Sequence, residues 1–499
     1  MPAFSDARTV PSGSTVETDL AIIGGGPAGI SLALTLAGKP FRILILESGG
    51  TSYDDKTQSL YDGVETGVRY TPLNATRQRH LGGGTNHWGG WCRPLDKSDF
   101  EKRSWVPYSG WPFGLEALQP YYPRAAELVE AGPFDFAGNP QWLDKYGAPL
   151  ALGQGGVYTS WFQFSKMRGS ELPTNFGERY AADLKRVPNL TVMLQANVTN
   201  IALAPDGKSV EHLDVATLSG GKFAVKAKYV VLGTGGIENA RLLLASNGVQ
   251  KHGIGNDHDL VGRFFMDNPI PRQTAKLVSF SGPIAPYYPS SQRGDGAVFR
   301  ATLAVTEAFK RATHVMGSLT TVENKVELDD FGKAVVATTA SALGVDASNA
   351  QAYELGCGME LKPDPDRRLT LTGEKDPLGM PRLKLHMTIG DEDFARYRQT
   401  MKELGRQLLA ARSGMIHLDR SSRESWFEVM DWGNHHDGTT RMHDNPKLGV
   451  VDANLKVHGV SNLFVAGSST FPTSGASNPT MNLVALTLRL ADHVKGLFA

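Results

Sequence analysis

Apolar residues gather along this chain in short dense runs that end in glycine, a pattern that predicts buried strands feeding tight turns. Leu20-Ala-Ile-Ile23 is the first such run, and Gly24-Gly25-Gly26-Pro27-Ala28-Gly29 follows it directly. A helix is predicted from there through about Ala37, then a second apolar strand from Phe41 to Leu46 that ends at Glu47. The strand-then-glycine order recurs at Tyr229-Val-Val-Leu-Gly-Thr-Gly-Gly236, which runs into a helix-like Ile237 to Ala245. It recurs again at Asn462-Leu-Phe-Val-Ala-Gly-Ser468. The middle of the chain reads differently. Val298 to Val305, Val315 to Val322, Met359 to Lys362, Arg368 to Leu371 and Arg382 to Met387 alternate or cluster apolar residues as strands. Turn clusters beginning at Lys362 and Gly373 separate them, and Asp391 to Ala411 reads as an amphipathic helix. Near the C-terminus Asn478-Pro479 forms an N-cap and N1 pair, and Leu483, Leu486, Leu490 and Val494 supply a helical stripe up to Gly496.

These patterns predict an α/β plus antiparallel β protein. A Rossmann-like nucleotide domain is assembled from distant segments, and a substrate domain is built on an antiparallel sheet. The expected division is 1–99, 176–268 and 434–499 for the nucleotide domain, with 100–175 and 269–433 for the substrate domain. Strand, GxGxxG, helix, second strand and terminal acid stand in register, which makes the first unit a nucleotide site. Gly24 permits the tight turn, Gly26 lets backbone approach a pyrophosphate, and Gly29 lets helix pack on strand. Pro27 and Ala28 open the helix whose N-terminus faces the phosphates, and Glu47 can accept hydrogen bonds from ribose hydroxyls. Three strand–glycine units spread over the chain suit a long FAD better than a compact NAD domain.

Composition narrows the function further. The chain has 499 residues with 51 basic and 51 acidic side chains, so its net charge of +0 gives no long-range pull toward nucleic acid or an anionic membrane. Only two cysteines are present, Cys92 and Cys357, too few for a disulfide framework, a four-cysteine zinc site or an iron–sulfur cluster. Two buried free thiols are expected, and no metal site. The longest uncharged stretch, Leu20 to Gly38, is broken by its glycines and reads as strand–turn–helix rather than as a membrane span. The N-terminal residues lack a basic region before an apolar core. No signal peptide is visible, so the default expectation is a cytoplasmic protein, periplasmic only if exported with a signal-bearing partner.

The chain resembles the glucose–methanol–choline (GMC) flavoprotein oxidoreductases over essentially its whole length. The residues that carry the resemblance are Gly24 to Gly29 with Glu47, Leu81-Gly-Gly-Gly-Thr-Asn-His-Trp-Gly-Gly90, and Gly233 to Ala245. His435-His-Asp-Gly-Thr-Thr-Arg-Met442, Gly449 to Asp452, Ala466-Gly-Ser-Ser and Ser477-Asn-Pro-Thr480 complete them. Within the family it is closest in motif to pyranose oxidases and bacterial glucoside or glucose dehydrogenases, through His87-Trp88 and through Asn at the second catalytic position. The resemblance implies FAD contacts at Gly83, Gly84, Asn86, His87, Val198, Gly233, Gly467, Ser468, Asn478, Pro479 and Thr480. In pyranose oxidases the His of Thr-His-Trp is bonded to the flavin. Here Asn86 replaces that Thr, which favours a non-covalent contact of His87 over a covalent link.

Oxidising an alcohol with flavin requires a base for the hydroxyl proton while hydride leaves for flavin N5. A neutral imidazole, pKa near ~6.5, is the natural choice. The family places that His four residues before the Thr of its Gly-Thr pair, which selects His435 and leaves His436 as its neighbour. The resemblance makes Asn478 the hydroxyl-positioning amide. Its position before Pro479 equally suits a helix cap. Trp161, Gln163 and Trp432 form an expected sugar-binding wall, against ordinary core packing. Asp267-Asn268-Pro269 resembles a family segment near the domain junction, and a structural turn explains it as well. The expected reaction is oxidation of a secondary sugar or glycoside hydroxyl, with oxygen, a quinone or a partner redox protein as electron acceptor. A non-sugar alcohol oxidase and a redox-silent flavin lyase on the same fold are the alternatives.

Overall fold

A computed structural model describes residues 3–136, 148–168, 172–287, 291–292, 296–419 and 422–499. Leu20 to Ile23, Ile43–Leu46 and Val230 to Leu232 are buried on both faces. Such runs are tolerated only in a sheet covered on both sides, and they form its parallel centre. The strand order is Phe4–Asp6, Leu190–Leu194, Ile43–Leu46, Thr15–Ile23, Lys222–Leu232, Val210–Ala216 and Asn197–Leu203. Lys222–Leu232 is long enough to serve two partners. Its first half pairs antiparallel with Val210–Ala216, and its end pairs parallel with Leu463–Val465. Helix Pro27–Thr35 covers this sheet and packs on the C-terminal helix Pro479–Gly496, so the two ends of the chain meet.

A second, wholly antiparallel sheet runs Gly414–Leu418, Pro269–Ser279, Gln351–Met359, Ser318–Val326, Val298–Val305, Val157–Phe164 and Trp91–Cys92. The start of Pro269–Ser279 also holds Met430–Trp432. Two expectations are corrected here. The strand expected at Met359 to Lys362 lies earlier, at Gln351–Met359. Tyr353, Leu355, Cys357 and Met359 do alternate inward, but Gly356 and Gly358 on the other face hide that alternation in the sequence. Arg368–Lys375 and Pro381–Met387 are strands as expected, yet they pair with Gly63–Gly67 as a separate three-stranded sheet. Cys92 and Cys357 are buried free thiols. Among the described residues no helix is long and apolar enough to cross a membrane.

A buried charge network ties this small sheet to the nucleotide half. Arg241, on helix Gly235–Ala245, donates to Asp376 at 2.8 Å, to the Pro381 carbonyl at 2.8 Å and to the Leu60 carbonyl at 2.8 Å. Its side chain and that of Asp376 are 2% and 1% exposed. Removing one partner of a buried pair strands the other charge, so Arg241→Ala should cost about 3–5 kcal/mol. Urea unfolding checks this, and a loss below about 1 kcal/mol contradicts it.

Candidate active site

The carboxyl ends of three parallel strands meet at Ile23, Leu232 and Val465, and glycines follow each within two residues. The Gly233 N–H donates to the Ile23 carbonyl and the Ala466 N–H to the Leu232 carbonyl, both at 2.8 Å. A Cβ on Gly24, whose φ is +105°, would stand 2.5 Å from the Gly233 carbonyl oxygen, and one on Gly29 2.0 Å from that of Gly24. Those two glycines are required by protein packing. Gly26 differs, because a Cβ there would meet nothing closer than Gly83 Cα at 3.9 Å and would project into open space. That space is a cavity of about 1720 Å³ including its mouth. Its lining runs from the glycine turns at Gly24, Gly26 and Gly233 to His435 and Asn478, which suits an extended cofactor with a substrate beside it.

The cavity is lined by Gly24, Gly26, Pro27, Ala28, Glu47, Gly83, Gly84, His87, Val198, Gly233, Gly467, Ser468, Pro479 and Thr480, all expected from the sequence. Glu47 is buried and accepts the amide N–H of Gly25 at 2.7 Å and of Gly49 at 2.8 Å, which fixes its carboxylate at the strand end. Two expected contacts do not line it. Gly29 serves the helix–strand contact described above. The Asn86 amide N–H is turned into its own loop, donating to the Leu81 carbonyl at 3.2 Å, and so braces that loop. Sequence reasoning missed Tyr61, Arg77 and Arg79, which also line the cavity. Both guanidiniums stack over the Tyr61 ring and pair with Glu238.

At the other end of the cavity the segment 433–436 crosses the start of helix Gly235–Ala245 so closely that a Cβ on Gly236 would stand 1.9 Å from the His436 carbonyl. Thr439 donates its hydroxyl to the Gly236 carbonyl, and Ser468 donates to the His436 carbonyl at 3.0 Å. These bonds hold His435 against Asn478, with His435 Nε2 and Asn478 Nδ2 3.0 Å apart. Burial lowers the His435 pKa to about 4 and holds His436 well below its ordinary value. Asn478 occupies the cap position of helix Pro479–Gly496, but its side chain makes no capping bond. The cap reading therefore holds for its place in the chain and fails for its amide. His436 lines the cavity too, with its ring stacked on Phe265 at 5.9 Å. His87 lines it as the residue that closes the Gly83–Asn86 turn.

None of Trp161, Gln163 and Trp432, the expected sugar wall, lines the cavity. Trp161 and Gln163 lie on the face of Val157–Phe164 turned away from the cavity. Trp161 packs on Phe299, while Gln163 bridges the Ala131 and Pro133 carbonyls at 3.0 and 2.8 Å. Trp432 packs on Tyr70 and donates to the Arg69 carbonyl at 2.9 Å. Strand alternation puts Phe162, Phe164 and Arg300 on the opposite face. There Trp91, which lines the cavity, meets both phenyl rings at 5.1 and 4.6 Å, with the Arg300 guanidinium 5.2 Å from its ring centroid. Ala476, two residues before Asn478, packs on this cluster. Further along the same face Arg300 and Arg272 both approach Glu323, at 4.0 and 3.9 Å.

A family model described as "GMC oxidoreductase" matches residues 363–487. The chain is 30% identical to the fructose dehydrogenase large subunit of Gluconobacter japonicus over 54% of its own length, and the match spans about half, 47%, of that subunit. It is 24% identical to the 2-methyl-1,2-propanediol dehydrogenase of Mycolicibacterium austroafricanum, covering 97% of this chain and 96% of that one. The solved structure of formate oxidase has the same fold, with a TM-score of 0.61 at 18% identity over 98% and 99% of the two chains.

The open space at Gly26 yields a prediction. Gly26→Val should leave the thermal unfolding midpoint of cofactor-free protein within a few degrees while abolishing the visible flavin band of the purified protein. Retention of full flavin would show that the cradle lies elsewhere.

Proposed function

We propose that this chain, which belongs to the GMC oxidoreductases and takes FAD as its cofactor, oxidises a secondary hydroxyl of a sugar or glycoside to a ketone, with His435 as the base. The 3.0 Å approach of His435 Nε2 to Asn478 Nδ2 at the cavity wall carries the reading. An alcohol oxygen lying against both groups would give its proton to the imidazole and receive an N–H from the amide. The growing negative charge on that oxygen is thereby held as the C–H bond weakens. FAD in the glycine cradle supplies the hydride acceptor. Helix Pro479–Gly496 begins beside the same point, and its positive end favours negative charge there. Burial keeps His435 unprotonated, and so able to accept a proton, at pH values where an exposed imidazole would already carry one.

The sugar assignment rests on Trp91 with Phe162, Phe164, Arg300 and Glu323. An aromatic plate beside paired charges suits the C–H face and hydroxyl edge of a pyranose. The relatives named above point the same way in one case and toward a small diol in the other. His87 is read as a non-covalent neighbour of the cofactor, because it closes a tight turn braced by Asn86. Oxygen, a quinone or a partner redox protein takes the electrons onward.

Anaerobic mixing with sugars, glycosides and simple diols, following the visible flavin band, tests the reading. Bleaching by a sugar is expected, and bleaching by diols alone would keep the oxidoreductase and remove the sugar. His435→Ala should slow bleaching by about 10²–10⁴-fold, and His436→Ala by far less. The wild-type rate should hold as pH falls and drop only near pH 4, where His435 takes up its proton, rather than near ~6.5. Acid precipitation should release the flavin into the supernatant.

A further inference from the structure

The Asp267-Asn268 pair, which the sequence left open between a family segment at the domain junction and a structural turn, grips His435 at two points. Asp267 Oδ1 accepts the His435 backbone N–H at 2.8 Å, and its Oδ2 accepts the Tyr70 hydroxyl at 2.5 Å. Asn268 Oδ1 lies 2.7 Å from His435 Nδ1. Which way that amide faces is set by its other bonds. Asn268 Nδ2 donates to the Met359 carbonyl at 2.9 Å and to the Gly475 carbonyl at 3.2 Å. A flipped amide would press its oxygen against two carbonyl oxygens, so Oδ1 must face the imidazole. An amide oxygen only accepts, so Nδ1 carries the hydrogen and the lone pair stands on Nε2, where Asn478 Nδ2 donates to it. Both partner carbonyls matter. Met359 ends a strand of the antiparallel sheet, and Gly475 belongs to the loop that carries Asn478.

We propose that Asn268 is a positioning residue for the base, fixing His435 in its Nδ1–H tautomer and, as an uncharged acceptor, withholding the stabilisation that a carboxylate would give the imidazolium. The inference rests on the reading of His435 as base. A carboxylate at Nδ1 orients an imidazole equally well but raises its proton affinity. An amide separates the two effects, so orientation is kept while Nε2 stays free at low pH. The titratable groups around the site are Asp267 with Tyr70 on one side, Asp437 next along the segment, and His436, His87 and Arg77 on the cavity side. Burial pushes Asp267 up to about 6, against the pull of the Tyr70 hydroxyl and the amides of His435, Asn268 and Asn434. It touches the backbone of His435 and leaves the ring to Asn268.

The test is the pH profile of anaerobic flavin reduction by full-length, flavin-loaded enzyme, using whichever alcohol bleaches the wild type. Asn268→Asp exchanges the two N–H bonds to the Met359 and Gly475 carbonyls for a carboxylate oxygen, so the plateau rate should fall, while the acid limb should move up by at least about one pH unit. Asn268→Leu removes the acceptor and should lower the plateau rate roughly 10–100-fold with KM little changed and flavin retained. An acid limb that stays in place in Asn268→Asp overturns the proposal, as does an Asn268→Leu enzyme with wild-type rate. Should Asn268→Leu fail to fold, the profile of Asn268→Asp decides alone. If His435→Ala reduces flavin at the wild-type rate, the base assignment falls and this inference with it. If His435→Ala is inactive while the Asn268→Asp limb stays put, only this inference falls.

Discussion

The active centre depends on how closely three strand ends approach one another. Gly24, Gly233 and Gly467 follow strands that lie side by side, and any side chain at Gly24 would meet the Gly233 backbone. Bringing them together concentrates N–H groups and a helix N-terminus on one side of a cavity, which suits a diphosphate. It also fixes where the C-terminal segment runs, because Ala466 is hydrogen-bonded to Leu232 and Thr440 to Ser469. His435 stands where it does because the chain from Gly433 to Thr440 is packed against Gly236 and hydrogen-bonded to it through Thr439.

Such packing buries many polar groups, and each needs a partner. Thr439, Thr440, Ser469 and Asn239 are essentially inaccessible and form one connected set with the backbone of Gly236 and Ala466. Behind Asn478 a second set links Ser477, Arg93, Asp96 and Lys310, while Arg103 pairs with Glu360 at 2.7 and 3.2 Å. Buried pairs of this kind contribute little net stability compared with apolar packing of the same volume. Their value here is placement. The loop from Gly475 to Asn478 is held by Asn268 on one side and by Arg93 on the other, and an apolar replacement would leave its register free.

The nucleotide half was legible because its signals are local. Leu20 to Glu47 contains strand, turn, helix, strand and acid in a single stretch, and the His435 segment and Asn478-Pro479 are likewise contiguous. The antiparallel half was legible as strands and misread as surfaces. Trp161-Phe162-Gln163-Phe164 presents two residues to each face, and nothing within those four residues says which pair packs on Trp91. That choice is made by Trp91, some seventy positions upstream, and by Ala476, three hundred downstream. Gly63–Gly67 escaped notice for a related reason, since its only apolar side chain is Val64 and its pairing partner lies at Leu383 to Met387. Arg77, Arg79 and Tyr61 carry no motif at all and become cavity residues only through Glu238 on a distant helix.

This contrast separates what the two halves contribute. Proton removal needs a few groups at fixed spacing near the cofactor, and contiguous segments supply them with the least loss of chain entropy. Recognition of a substrate needs a broad face, and a sheet provides one only by drawing residues from many strands. Trp91, Phe162, Arg300 and Glu323 come from four strands of the antiparallel sheet and share no local pattern. Substitutions on that face can change its shape while leaving the strand ends, the glycines and the His435 clamp untouched. Contiguous motifs therefore place the strand ends and the His435 clamp, while register places the antiparallel face, so a one-residue shift in Val157–Phe164 would exchange Phe162 and Phe164 for Trp161 and Gln163 against Trp91.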